Sequence, residues 1–180
     1  MTDFSHLIRE GNLINGHWVS ADDGATLDVT NPADGTTIAT VPNAGRAETA
    51  RAIDAAHTAF PAFAGMPLNE RVGLMRNLHD AILDNLDAMA AMLTAEQGKP
   101  LSESRAEVGS SAAYVLWFAE EARRTNGAII PAPIPGRKLL TTRHPVGVVA
   151  AITPWHFPSS MRARTLGPAL AAGCTTIVNP

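Results

Sequence analysis

The sequence is poor in several features that would narrow its function quickly. It holds one cysteine, Cys174, so no disulfide can close within the chain, and a single thiol suits a reducing compartment. No Lys/Arg run stands out, and the net charge is 14 − 17 = −3. That argues against a nucleic-acid footprint but leaves room for a small basic pocket taking a phosphate. No apolar run is long enough to cross a bilayer. The N-terminal "MTDFSHLIREGN" has polar residues at every second or third position and lacks the apolar stretch of a signal peptide. The expectation is a soluble cytoplasmic protein that binds neither membrane nor nucleic acid. The G-x-G-x-x-G dinucleotide fingerprint is missing, so a glycine-cradled pyrophosphate is not supported. No cluster of His, Cys and carboxylates stands at metal-ligand spacing, and no metal site is expected.

What is present is a core. With 46% hydrophobic and 17% charged residues, 180 residues suffice for one large domain or parts of two. "NLINGHWVSA" reads as a hairpin, with Asn15-Gly16 suited to a type I′ turn. "TLDVTNPADGTTIATVP" reads as a second, turned by Asn31 to Gly35. An Ala-rich helix follows from Arg46 through Phe60, before Pro61, Gly65 and Pro67. Leu68, Val72, Met75, Leu78, Ile82, Leu86, Met89 and Leu93 then follow at steps of three or four, an apolar helical stripe that Asn85 can interrupt. Gly98 and Pro100 stop it. A further helix spans about Ser102 to Thr125, with Val108, Ala112, Val115 and Phe118 inward. Core packing is the plain reading of both stripes. "IIPAPIPGRK" is an extended connector, "KLLTTRHP" is strand-like, and "VGVVAAIT" suggests a strand buried on both faces. A helix after Pro158 carries Met161, Leu166 and Leu170, and "CTTIV" returns as a strand. That is one βαβ unit, too little to cover both faces of its strands, so the chain reads as ending where a second domain begins.

Ligands of open α/β sheets sit beyond the carboxyl ends of the strands, where "ITPWHFP" and the terminal "NP" both lie. The first offers carbonyls stiffened by proline, an indole from Trp155 and an imidazole from His156. The plainer reading, favoured on these residues alone, is a loop that anchors its aromatics in the core. His156 could be a hydrogen-bond donor, a general base or buried filler. Cys174 reads as a small apolar core residue. Arg162 and Arg164, two apart on a helix, point to different faces. One that faced a cleft would suit a substrate carboxylate, while a solvated arginine is the plainer reading.

Taken together, "LINGHWV", "TNPADGTTIATVP", "AEQGKP", "RHPVGVVAAITPWHFP" and "LGPALAAGCTTIVNP" resemble the NAD(P)-dependent aldehyde dehydrogenases, in the family's order and over nearly the whole chain. The stretch from "AEEARRTNG" to "ITPW" is most similar to the succinate-semialdehyde branch. The resemblance implies an α/β fold in which β-hairpins and long helices lead into an incomplete parallel, Rossmann-like sheet. It implies residues 1–136 as hairpins and the helical part of the cofactor-binding domain. Residues 137–146 would be a strand of an oligomerisation arm, and 147–180 the first βαβ unit of the dinucleotide-binding sheet. It further implies NAD or NADP as cofactor, a small aldehyde as substrate and a homo-oligomer for the complete protein. The nucleophilic cysteine and the glutamate base would lie downstream, so the chain alone is expected to be inactive. A non-catalytic protein that pairs with full-length subunits is the alternative.

Carried over residue by residue, Ile152, Thr153, Pro154 and Trp155 fall on positions lining the cofactor cleft. His156 stands where the family has an oxyanion-hole asparagine. Asn179 stands where it has a lysine that contacts the adenosine ribose and, in some members, a 2′-phosphate. Arg164 matches an arginine that binds the substrate carboxylate, and Cys174 matches a structural cysteine.

Overall fold

The computed structural model of the chain describes residues 2–179, and among them the strands occur in pairs. β1 (Asn12–Ile14) and β2 (His17–Val19) form an antiparallel hairpin. Asn15 and Gly16 have φ of 50° and 79°, the two positive values that a type I′ turn requires. β3 (Thr26–Thr30) and β4 (Thr37–Pro42) form the second hairpin, its turn closed by the Gly35 N–H donating to the Asn31 carbonyl at 2.8 Å.

α1 spans Arg46–Ala64 and is tied to the β-region at its start. The Glu48 carboxylate accepts from the Gly45 N–H at 3.1 Å and from the Asp22 N–H at 2.7 Å. The helix does not stop before Pro61, as the sequence pattern suggested. A proline in the last turn forfeits a single backbone bond near a fraying end, and helical bonding resumes with the Gly65 N–H donating to the Pro61 carbonyl at 3.0 Å.

α2 (Leu68–Asp84) and α3 (Leu86–Gln97) meet at Asn85, where the break was expected. Of the apolar stripe, Val72, Met75 and Leu93 are buried, while Ile82, Leu86 and Met89 pack partly buried against them. α3 ends at Gly98, whose φ of 72° lets its N–H reach the Thr94 carbonyl at 2.9 Å. Gly98, Lys99 and Pro100 lead into α4 (Leu101–Glu121), continued by a 3₁₀ turn over Ala122–Arg124. α4 is the central helix and packs against α2, α3 and α5.

The connector after α4 is a correction to the sequence reading. Ile129 and Ile130 lie in β5 (Ala128–Ile130), antiparallel to β6 (Leu139–Thr141). The ladder starts where Gly127 brings its backbone against the Thr141 carbonyl, a place without room for a side chain. It stops at Ile130 because Pro131 has no N–H to donate.

β7 (Val148–Ile152), α5 (Pro158–Ala171) and β8 (Thr175–Asn179) form the expected βαβ unit, β7 and β8 parallel and in register from Val148↔Thr175 to Ile152↔Asn179. The apolar run of β7 suits a strand buried on both faces, but, as one βαβ unit was expected to leave it, β7 is not so covered: only Ala151 is buried, and Ile152 is 76% exposed. A ladder of two strands, packed by α1 and α5, has too little cover for two faces. In α5 the most buried residues are Ala163, Gly167, Ala169 and Ala171, and not the larger Met161, Leu166 and Leu170. Small residues let α5 sit close to α4. A Cβ on Gly167 would lie 2.9 Å from Cδ2 of Phe118. Among the described residues no helix is long and apolar enough to cross a membrane.

Candidate functional site

The parallel pairing brings together two segments that are far apart in sequence. Ile152 and Asn179 are the last register partners of β7 and β8, and the Thr153 N–H reaches the Asn179 carbonyl at 3.4 Å. The loop after β7 and the end of β8 therefore share one edge, the carboxyl edge at which α/β sheets bind ligands.

The loop does not bury its aromatics. Trp155 is 78% exposed and Phe157 is 46% exposed, which overturns the plainer reading of a core anchor. His156 is exposed as well and is not filler. Its ring stands edge-on to Trp155, with centroids 5.7 Å apart, and to Phe157 at 5.3 Å. Three consecutive rings thus form a stepped wall facing solvent.

The loop is held from beneath by charge. Lys99, in the turn between α3 and α4, folds its side chain back and donates to Glu107 Oε2 at 2.5 Å and to the His156 carbonyl at 3.0 Å. The same ammonium lies 4.6 Å from the centroid of Phe157. The other Glu107 oxygen accepts from the N–H groups of Ser159 and Ser160, at 3.0 and 3.2 Å. The Ser111 hydroxyl donates its one proton to the Glu107 carbonyl at 2.9 Å, so at 2.7 Å the Ser159 hydroxyl is the donor to Ser111.

This completes the backbone accounting at the start of α5. Pro158 has no N–H, those of Ser159 and Ser160 are taken by Glu107, and that of Met161 donates to the Phe157 carbonyl at 3.0 Å. The first helix N-terminus of a βαβ unit is the usual seat of a pyrophosphate. Here the protein's own carboxylate fills it, so these amides are not free to hold a phosphate.

Arg162 and Arg164 do face differently. Arg162 runs inward: its Nε is buried without a hydrogen-bond partner among the described residues, and burial holds its guanidinium below the usual range, partly offset by the charge of Glu96. Burial in turn pushes the Glu96 carboxyl up, against the opposing pull of Arg162. Arg164 is exposed and lies 5.7 Å from the Tyr114 ring on α4. It sits six residues along α5 from Pro158, about 9 Å by the helical rise, and the structure does not bring it to the loop. Cys174 is 3% exposed, as expected of a core cysteine.

Sequence reasoning missed Lys99, Glu107, Ser111 and Glu96. A signal for Glu107 was available. The buried stripe of α4 runs Ser104, Glu107, Val108, Ser111, Ala112, Val115, Ala119, and a carboxylate flanked by two hydroxyls on an inward face must have partners.

The family model described as the aldehyde dehydrogenase family matches residues 18–180. The chain belongs to the aldehyde dehydrogenase family. It is 47% identical over 176 residues to glutarate-semialdehyde dehydrogenase of Pseudomonas putida, covering 98% of this chain and 37% of that protein. Against the NADP(+) succinate-semialdehyde dehydrogenase of Escherichia coli it is 45% identical, covering 98% and 36%. Among solved structures, an NADP dependent enzyme of E. coli superposes with a TM-score of 0.96 at 45% identity, covering 98% of this chain and 37% of that one. This aldehyde dehydrogenase chain therefore spans little more than a third of the length of the relatives it matches.

Proposed function

We propose that the chain supplies the cofactor edge of an enzyme oxidising a small aldehyde that carries a carboxylate, such as succinate semialdehyde, to the acid with NAD+ or NADP+. The observation that carries this reading is the pairing of Ile152 with Asn179, which sets both candidate cofactor segments on one carboxyl edge. The residues there fit a dinucleotide. Trp155 is a free aromatic face, and the buried Thr153 hydroxyl has no hydrogen-bond partner among the described residues. Ile152, Thr153, Pro154, Trp155 and Asn179 would line the cofactor, His156 would offer an N–H to the oxyanion, and Arg164 would meet the substrate carboxylate. When bound, the nicotinamide would accept the hydride.

The reading also says what this chain does not supply. Aldehyde oxidation by this family's chemistry needs a thiolate nucleophile, and the one cysteine, Cys174, is buried immediately before β8. Tested alone with NAD(P)+ and succinate semialdehyde, the 180 residues are expected to give no turnover. Joined in frame to the downstream two thirds of the E. coli relative, the chain is expected to oxidise succinate semialdehyde. A folded chimera that binds neither NAD+ nor NADP+ would overturn the cofactor assignment.

A further inference from the structure

We propose that Lys99 and Glu107 are positioning residues for the loop that carries His156. The choice of this loop rests on reading it as a wall of the cofactor site. The hold itself is independent of that reading.

Apart from the α5 bond that the Phe157 carbonyl accepts from the Met161 N–H, the loop is otherwise lightly attached. Pro154, Trp155, His156 and Phe157 are exposed, and the bond from Thr153 to Asn179 is long at 3.4 Å. Beneath it, one buried ion pair makes the firm contacts. The side chain of Lys99 is 13% exposed and that of Glu107 is 3% exposed, so solvent barely competes with either. Each partner fixes a different end of the turn. The ammonium fixes the His156 carbonyl, and the carboxylate fixes the amides of Ser159 and Ser160, the first of α5 able to donate. His156 therefore sits between two clamps joined by a 2.5 Å bond.

The arrangement also explains why a charged residue occupies the buried stripe of α4. Leucine at position 107 would satisfy packing against α5 but would orphan two amides and one ammonium. A carboxylate at a helix N-terminus is favoured by the helix dipole as well. The pair links α4, the α3–α4 turn and the α5 start at one point. The backbone at His156 is thus held by residues 57 and 49 positions earlier in the chain.

The test is residue-resolved amide exchange by NMR on the full chain. With Glu107→Ala, the Ser159 and Ser160 amides are expected to exchange about tenfold faster relative to amides in the interior of α4. With Glu107→Gln, whose amide oxygen can still accept, the two should stay within about threefold of the native protein. Lys99→Met leaves the carboxylate in place, so it should shift the His156 carbonyl ¹³C resonance while Ser159 and Ser160 remain protected. Equal effects of Ala and Gln, or acceleration spread evenly over α2 to α4, would show a merely structural pair and overturn the proposal. Should Glu107→Ala fail to fold, an unmoved His156 carbonyl in Lys99→Met overturns it equally. NAD+ affinity of the same variants judges the cofactor reading apart. A loosened loop with unchanged affinity leaves the clamp standing and removes the loop from the cofactor site.

Discussion

Glu107 on α4 and Ser159 on α5 stand 52 residues apart in sequence, and the carboxylate of the first accepts the backbone N–H of the second at 3.0 Å. A helix capped by a side chain from another helix cannot turn independently of it. The loop before α5 therefore inherits its orientation from α4 and from Lys99, which shares the same carboxylate.

That shared carboxylate should show in a double-mutant cycle. Removing one partner of a buried pair typically costs about 3 kcal/mol, because the other charge is left unpaired. Lys99→Met is expected to lose about that much in urea denaturation. Lys99→Met combined with Glu107→Gln should lose at least about 1 kcal/mol less than the sum of the single changes. Additive losses would mean that the two side chains do not act together.

Two glycines within helices should respond oppositely to alanine. At Gly167 a Cβ meets Phe118 at 2.9 Å, so Gly167→Ala should destabilise by about 1–3 kcal/mol despite alanine's better helix propensity. At Gly109 a Cβ meets nothing within 4 Å, and Gly109→Ala should stabilise by about 0.5–1 kcal/mol. A stabilised Gly167→Ala would show that α4 and α5 are not closely packed there.

Glu96 should leave a signature in the pH dependence of stability. Burial raises its carboxyl above the ordinary value of 4.5, so between 4.5 and that raised value the folded state holds a proton the unfolded chain has lost. The contribution is present in full below 4.5 and is lost as pH rises through the raised value. Subtracting the profile of Glu96→Gln from that of the native chain should give a difference that falls across this window. A flat difference would mean that Glu96 is solvated.

In the chimera with the downstream part of the E. coli relative, His156→Asn should raise kcat about tenfold or more, if the side chain at 156 donates to the oxyanion. The asparagine amide would restore the reach that the wider, stepped imidazole changes. An unaltered kcat would remove position 156 from the chemistry.

Asn179→Lys in the same chimera should tighten NADP+ about tenfold and NAD+ less, since a cation gains most from a 2′-phosphate. Equal gains for both cofactors would place the side chain away from the ribose.

Much of the fold was legible in the residue order because it depends on local rules. Asn15-Gly16 can turn a hairpin by adopting positive φ, Gly98 can end a helix, and the step of three or four from Leu68 to Leu93 marks an inward face wherever that helix lies. The βαβ order and the two candidate segments at strand ends were equally readable, as was the likeness to aldehyde dehydrogenases. What no local rule could supply was the pairing of distant groups. That Trp155 faces solvent, that Arg162 turns inward toward Glu96 while Arg164 does not, and that the α5 start is filled by Glu107 are all decided by packing, the last of them by how close α4 comes to α5. That distance follows from Ala163, Gly167 and Ala171 being small on the facing side, a matter of volume summed over two helices. Periodicity assigns residues to an inward face, but a partner for a buried charge exists only once the packing has placed one within 3 Å.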